Sequence, residues 1–120
     1  MTTSLRHKNV LWVIDSTPDT PILYAVDSAS CDIRARIEMA SVPGRDLEAI
    51  AAGRDSKGNP VLWVGDLGDN KENYDFVRLY QVPEPKNLVD QTVPVVTVNA
   101  APTPLTKVTT TQNITFSATD

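Results

Sequence analysis

Val10-Leu11-Trp12-Val13-Ile14-Asp15 returns 51 residues later as Val61-Leu62-Trp63-Val64-Gly65-Asp66. Each copy is followed by a second related stretch, Leu23-Tyr24-Ala25-Val26 or Leu79-Tyr80-Gln81-Val82. A period of roughly 40 to 50 residues is typical of β-propeller blades. The repeat therefore predicts two blade-like units. In each unit we expect the Leu-Trp-Val strand to run along the central channel and the Leu-Tyr strand to pair with it on the outer side.

Short runs of Val, Ile, Leu, Trp and Tyr alternate with polar turns along most of the chain, which favours antiparallel strands over helices. Residues 27–30 and 55–59 are predicted hairpin loops, because their Asp and Ser side chains can bond nearby backbone and Gly58 tolerates a positive φ. Residues 46–52 are compatible with a strand or with two helical turns. The predicted strands cover residues 9–14, 22–27, 32–39, 47–53, 60–65 and 76–82. The predicted fold class is all-β, with antiparallel propeller blades.

These patterns divide the chain into four parts. Residues 1–8 form an N-terminal extension, which we expect to be frayed and which contains His7, the only histidine. Residues 9–58 form the first blade-like repeat and residues 59–98 the second. The Thr- and Pro-rich residues 99–120 are a tail that could begin a further strand or blade.

The composition excludes several classes of partner. A net charge of −4 without a basic cluster argues against nucleic acid or an anionic membrane surface as partner. No apolar run approaches the roughly 20 residues that span a bilayer. The N-terminus lacks the apolar segment and the cleavage site of a signal peptide.

Asp66 and its neighbours carry a family resemblance. The stretch Trp63-Val64-Gly65-Asp66-Leu67-Gly68-Asp69-Asn70, followed by residues 77–85, resembles a bacterial propeller family with a Gly-Asp-Ile-Gly-Asp-Asn loop before a Tyr-Arg-Val-Pro-Glu-Pro strand. Its members are described as secreted WD40-like or six-bladed propellers. Residues 46–51 are similar to that family's Asp-Trp-Glu-Asp-Ile-Ala, with departures at Leu47 and Ala49. The resemblance covers residues 9–90 and implies a propeller fold and a secreted or periplasmic location.

The length holds about two blades, whereas a complete propeller has typically four to eight. Three arrangements follow from this difference. The chain is a truncated piece of a larger propeller, or a unit that closes a ring as a homo-oligomer, or a small β-domain that only resembles blades. We expect the first of these.

Oxygen-bearing side chains are predicted near strand ends or in loops on one face of the ring. They are Asp15, Glu48, Asp66, Asp69 and Asn70. Oxygen ligands of this kind suit Ca²⁺, so one hypothesis is a calcium or ligand site at the channel mouth. The alternative is that these side chains brace turns by accepting backbone N–H bonds.

The sequence predicts a binding or interaction scaffold for an unidentified ligand or protein, with Ca²⁺ on the loop face. One alternative is a metal-dependent hydrolase of the phytase-like or lactonase-like propeller type, with Asp66, Asp69 and Glu48 as the first residues to test. Another is a structural or oligomer-forming β unit. A Ser-His-Asp triad is not expected from a chain whose single histidine is His7.

Aromatic residues recur in register in the two repeats, as Trp12 and Trp63 and as Tyr24 and Tyr80. Large aromatic side chains at equivalent strand positions favour packing between blades over a ligand platform. We therefore expect all four rings to belong to the core.

Overall fold

The computed structural model describes residues 1–17, 20–43, 46–68 and 77–98, and all regular secondary structure within these ranges is β. The strands are β1 (Thr2–Thr3), β2 (Val10–Asp15), β3 (Ile22–Asp27), β4 (Ile33–Met39), β5 (Leu47–Arg54), β6 (Pro60–Asp66), β7 (Arg78–Pro83), β8 (Gln91–Val93) and β9 (Val96–Val98). The predicted all-β class is confirmed.

The six predicted strands correspond to β2 to β7, with ends that differ by at most two residues. The ambiguous segment 46–52 lies mostly in β5, so the strand alternative is the correct one there. The strands β1, β8 and β9 were not predicted, because two or three residues are too few to display a period. The tail from residue 99 onward lies outside the described residues.

The strands form two sheets. The first has the order β1-β2-β3-β4-β8, in which only β8 runs parallel to its neighbour, and the second has the antiparallel order β5-β6-β7-β9. The repeated strands β2 and β6 are each the second strand of their sheet, because β1 precedes β2 in the order and β5 precedes β6. This differs from the expectation that each is the first strand of its unit. β5 pairs with β6, although the predicted boundary at residue 58 assigns it to the first repeat. The blade boundaries themselves stay a prediction.

The sequence repeat corresponds to a repeat of backbone structure. The β2–β3 hairpin is closed by the N–H of Ser28, which donates to the carbonyl oxygen of Asn9 at 2.8 Å. The β6–β7 hairpin is closed in the same way by the N–H of Glu84 and the carbonyl oxygen of Pro60, at 3.0 Å. These four positions are equivalent in the sequence alignment of the two repeats. The two units therefore share register as well as residue pattern.

Each sheet has two faces, because successive side chains of a strand point to opposite sides. We call the side that carries Trp12 or Trp63 the Trp face, and the side that carries Tyr24 or Tyr80 the Tyr face. The core lies between the Trp face of the first sheet and the Tyr face of the second sheet. Its strand residues are Val10, Trp12, Leu23, Ala25, Ala35, Ile37 and Met39 from the first sheet, and Leu47, Leu62, Val64, Tyr80 and Val82 from the second sheet.

This arrangement divides the predicted core aromatics. Trp12 and Tyr80 are buried in the core, as expected. Tyr24 and Trp63 lie on the two outer faces and are partly exposed. The expectation for these two rings was wrong. The two sheets have the same orientation, so only one of the two equivalent tryptophans and one of the two equivalent tyrosines can face the space between them.

A buried carboxylate connects the two sheets. Glu84 follows β7 in the second sheet and is only 2% exposed. It accepts hydrogen bonds from the indole Nε1 of Trp12 at 2.9 Å, from the N–H of Leu5 at 3.2 Å and from the hydroxyl of Ser4. Because a buried carboxylate is costly unless its oxygens are satisfied, these donors make the docking of the two sheets specific.

The N-terminal residues are held in place, which corrects the expectation of a frayed end. β1 pairs with β2, and the hydroxyl oxygen of Thr2 accepts the N–H of Ala52 from β5 at 3.1 Å. The Nε2 atom of His7 lies 2.7 Å from the carbonyl oxygen of Pro85. The N-terminal segment therefore contacts β5 through Thr2, and the residues that follow β7 through Ser4, Leu5 and His7.

The segment after Glu84 returns to the first sheet before it rejoins the second. β8 pairs with β4, and Val93 enters the core. The N–H of Arg36 donates to the carboxylate of Asp90 at 2.8 Å, and the N–H of Ala40 donates to the carbonyl oxygen of Val93 at 3.0 Å. β9 then pairs with β7. The chain thus passes from the second sheet to the first at β8 and returns to the second at β9. No single cut in the sequence would separate the two sheets.

Replacement of Glu84 is expected to weaken the contact between the sheets. Glu84→Ala leaves the Trp12 indole and the Leu5 N–H without an acceptor, so we expect a loss of about 3 kcal/mol in the free energy of unfolding. Urea denaturation followed by tryptophan fluorescence measures this loss. Glu38→Ala, at an exposed glutamate of β4, is the matched control and should change stability little. Equal effects of the two substitutions would contradict the role of Glu84.

Candidate functional site

Acidic side chains gather where β5 begins and β6 ends. Leu47 is paired with Asp66 and Ala49 with Gly65, so Glu48 is the extra residue of a β-bulge. The bulge allows Leu47 and Asp66 to face the core while Glu48 is exposed to solvent. Two of the predicted site residues, Glu48 and Asp66, are thus brought to the same end of the second sheet.

Asp66 is fully buried at this end of the sheet. Its Oδ1 accepts the N–H of Asp46 at 3.2 Å, and its Oδ2 lies 3.5 Å from the hydroxyl of Tyr80. Burial raises the pKa of Tyr80, and the charge of Asp66 acts in the same direction, so the phenol keeps its proton and can donate it. The hydrogen bond that the N–H of Asp46 donates to Asp66 holds the main chain of Asp46 in position.

Asp46 and Glu48 form an acid pair at the surface. A hydrogen bond between the two carboxyl groups, together with the negative charge of Asp46, raises the pKa of Glu48. Two carboxylates so close together repel each other unless a proton or a cation lies between them.

Gly68 allows the loop after β6 to lie against this pair. Its N–H donates to the carbonyl oxygen of Asp46 at 3.2 Å. A Cβ atom at residue 68 would overlap the Asp46 carboxylate. A glycine is needed here for close approach and not for an unusual φ.

Asp15 ends β2 in the first sheet, at the position equivalent to Asp66. Its Oδ1 accepts the N–H of Thr17 at 2.9 Å, and this bond lowers the pKa of Asp15. Backbone N–H groups lower the pKa of Asp27 in the same way in the β3–β4 turn, with Ser30 as the main donor. Asp15 thus makes the kind of contact expected of a side chain that braces a turn by accepting backbone N–H bonds.

Asp69 and Asn70, the remaining predicted ligands, lie outside the described residues. Within the described ranges, no three Asp, Glu, His or Cys side chains converge in a way that could hold a metal ion. The five-residue calcium site therefore stays a prediction.

Three residues of structural or chemical importance were not among the predicted site residues: Asp46, Tyr80 and Glu84. Asp46 lies two residues before Glu48, and the strand prediction for this segment would have placed both near the end of β6. A buried Trp12 needs an acceptor for its indole N–H, which was a signal for a partner such as Glu84. The identity of that acceptor could not be predicted, because Glu84 is 72 residues away from Trp12.

Comparison with protein-family models, with curated proteins and with solved structures found no match. The described part of the chain has no helix with the length and apolar character needed to cross a membrane.

The Asp46–Glu48 pair can be tested by titration. We expect carbon NMR to give Glu48 a pKa above the ordinary glutamate value, and Asp46→Asn to lower it, because the substitution removes a negative charge and adds an N–H donor. The titration of Asp27 should not change, since its own turn sets its pKa. Because the folded pKa of Glu48 is raised, the stability from the shared proton is present at low pH and is lost as the pH rises through that pKa. An unchanged Glu48 pKa in Asp46→Asn would contradict the pairing.

Proposed function

We propose that the chain is a β-propeller-type binding scaffold whose ligand site lies at the acidic end of the second sheet and includes Ca²⁺. The propeller architecture is supported by two sheets with repeated strands at the same places in the strand order. It is also supported by the resemblance of the loop at residues 65–70 to the propeller family named above. That resemblance is the basis for a secreted or periplasmic location.

The observation that carries the proposed site is the acid pair of Asp46 and Glu48. The negative charge of Asp46 raises the pKa of Glu48, and two neighbouring carboxylates concentrate negative charge that a divalent cation can neutralise. Asp66 fixes the main chain of Asp46 from inside the sheet. Asp69 and Asn70 come three and four residues after Asp66 in the sequence, and their side chains carry oxygen atoms of the kind Ca²⁺ prefers.

In this scaffold the cation has an organising role. Ca²⁺ takes six to eight oxygen ligands, and two carboxylates with loop oxygens and water can provide them. A bound cation would neutralise the end of the second sheet and present a polar surface to a ligand or protein. The partner is accordingly a molecule with anionic or carbonyl oxygen atoms that can complete the coordination sphere.

A calorimetric titration with CaCl₂ at neutral pH tests the site. We expect the unaltered chain to bind Ca²⁺, and Glu48→Gln or Asp46→Asn to weaken binding at least about tenfold, because each removes one ligand charge. Asp55→Asn is the matched control: Asp55 lies in the β5–β6 turn, at the opposite end of the same strands, and accepts N–H bonds from Lys57 and Asn59. Its substitution should leave the affinity unchanged.

Circular dichroism establishes that each variant is folded before its affinity is compared. Absence of binding by the folded, unaltered chain would overturn the calcium site. An equal loss of affinity in Asp55→Asn and Glu48→Gln would place the cation elsewhere and would also overturn it.

A further inference from the structure

The interface between the two sheets joins two different surfaces, a Trp face and a Tyr face. Because the units are repeats, each sheet possesses both. The contact within the chain uses the Trp face of the first sheet and the Tyr face of the second sheet. Among the residues that the structure describes, the Tyr face of the first sheet and the Trp face of the second sheet therefore point away from this contact.

The outer Tyr face of the first sheet repeats the inner surface of the second sheet. It carries Leu11, Val13, Tyr24 and Val26, all partly exposed. The equivalent residues of the second sheet are Leu62, Val64, Tyr80 and Val82, and all four are buried in the core. The residue types are identical at all four positions. Strands β2 and β3 thus present on the outside the side-chain types with which β6 and β7 accept a Trp face inside this protein. Arg36 of β4 shares this face, and its guanidinium carbon lies 5.9 Å from the centroid of the Tyr24 ring.

The outer Trp face of the second sheet repeats the inner surface of the first sheet in a similar way. Its strand residues are Val61, Trp63, Leu79 and Gln81, which are equivalent to Val10, Trp12, Leu23 and Ala25. Val61 is only 2% exposed, and the other three are partly exposed. Three of the four pairs are identical. The partly exposed Trp63 indole packs over Gly53, where an added Cβ atom would lie 3.2 Å from the ring. The ring therefore lies close to the backbone of β5.

Each outer face is extended by an exposed aliphatic residue. A register shift in the β3–β4 pairing places Ile33 opposite Val26, so Ile33 joins the Tyr face and is 61% exposed. Val96 of β9 is paired with Gln81, so it joins the Trp face and is 57% exposed. Exposed apolar faces of this extent mark surfaces for association.

We propose that a second copy of this chain covers each outer face, with the Trp face of the second sheet of one copy on the Tyr face of the first sheet of the next. This contact repeats the packing that the structure contains within one chain. It is heterologous, so successive copies form a closed ring or an open filament, according to whether the rotation closes. A ring of typical propeller size would contain about two to four copies. The proposal depends on the repeat and not on the cation site.

One polar contact distinguishes the proposed interface from the internal one. Inside the chain, the Trp12 indole donates to Glu84. The position equivalent to Glu84 in the first sheet is Ser28, whose backbone closes the equivalent hairpin. Its hydroxyl is an acceptor for the Trp63 indole of the neighbouring copy. Because this neutral bond is weaker than one to a carboxylate, the contact between copies is weaker than the contact within a copy.

The test is the solution mass of the chain by light scattering, measured with two single-face variants. We expect an oligomer of the 13.1 kDa chain, and we expect Trp63→Glu and Val13→Glu each to give monomers, because each places a charge on one outer face. Mixing the two monomeric variants should give a one-to-one dimer, since each retains the face that the other has lost. Trp63→Phe is the conservative control and should keep the oligomer.

A second pair of variants protects the test against loss of folding. Ile33→Glu and Val96→Glu alter exposed residues of the same two faces, and circular dichroism confirms that they are folded. They should behave as the first pair does, both alone and when mixed. Calcium affinity is measured separately on the monomeric variants and should be retained, so failure of the assembly and failure of the cation site give different results.

Two results would overturn the proposal. A monomeric unaltered chain would mean that the outer faces are covered by something other than a second copy. An oligomer that survives one variant of a pair and is lost in the other would mean that copies associate through one face with itself.

Discussion

The packing of a Trp face on a Tyr face is the contact on which the rest of this structure depends. It buries Trp12 and Tyr80, the two largest side chains that are almost fully enclosed. The carboxylate of Glu84 lies at the edge of this contact and holds the Trp12 indole and the N-terminal segment together. If the two sheets did not pack in this alignment, the two rings would not be buried and the Glu84 carboxylate would lack its hydrogen-bond donors.

The strands of this fold could be predicted from sequence because each has enough residues to display its pattern. β4 is the clearest case, since Ala35, Ile37 and Met39 are buried and the residues between them are exposed. The pairing of β8 with β4 could not be predicted, because three residues carry no period and the partner is more than 50 residues away. The different fates of Trp12 and Trp63 were also hidden, since they depend on which face of each sheet is covered.

The candidate site was predictable to a similar degree. Strand ends located Glu48 and Asp66 at one end of the second sheet, because antiparallel neighbours bring the start of one strand to the end of the next. The bulge that exposes Glu48 while burying Asp66 depends on backbone register, which residue types alone do not specify. Asp15 illustrates the same limit: it ends an equivalent strand, but its carboxylate accepts the N–H of Thr17 in its own turn.

The path of the chain through β8 has a consequence for folding. The first sheet receives its last strand from residues 91–93, after most of the second sheet has already been traversed. A nascent chain that ends before residue 91 leaves the edge of β4 unpaired and Val93 missing from the core. Closing so long a loop costs entropy before its contacts form, which slows folding. The first sheet is therefore completed only once the chain of the second repeat is present, which couples the folding of the two repeats.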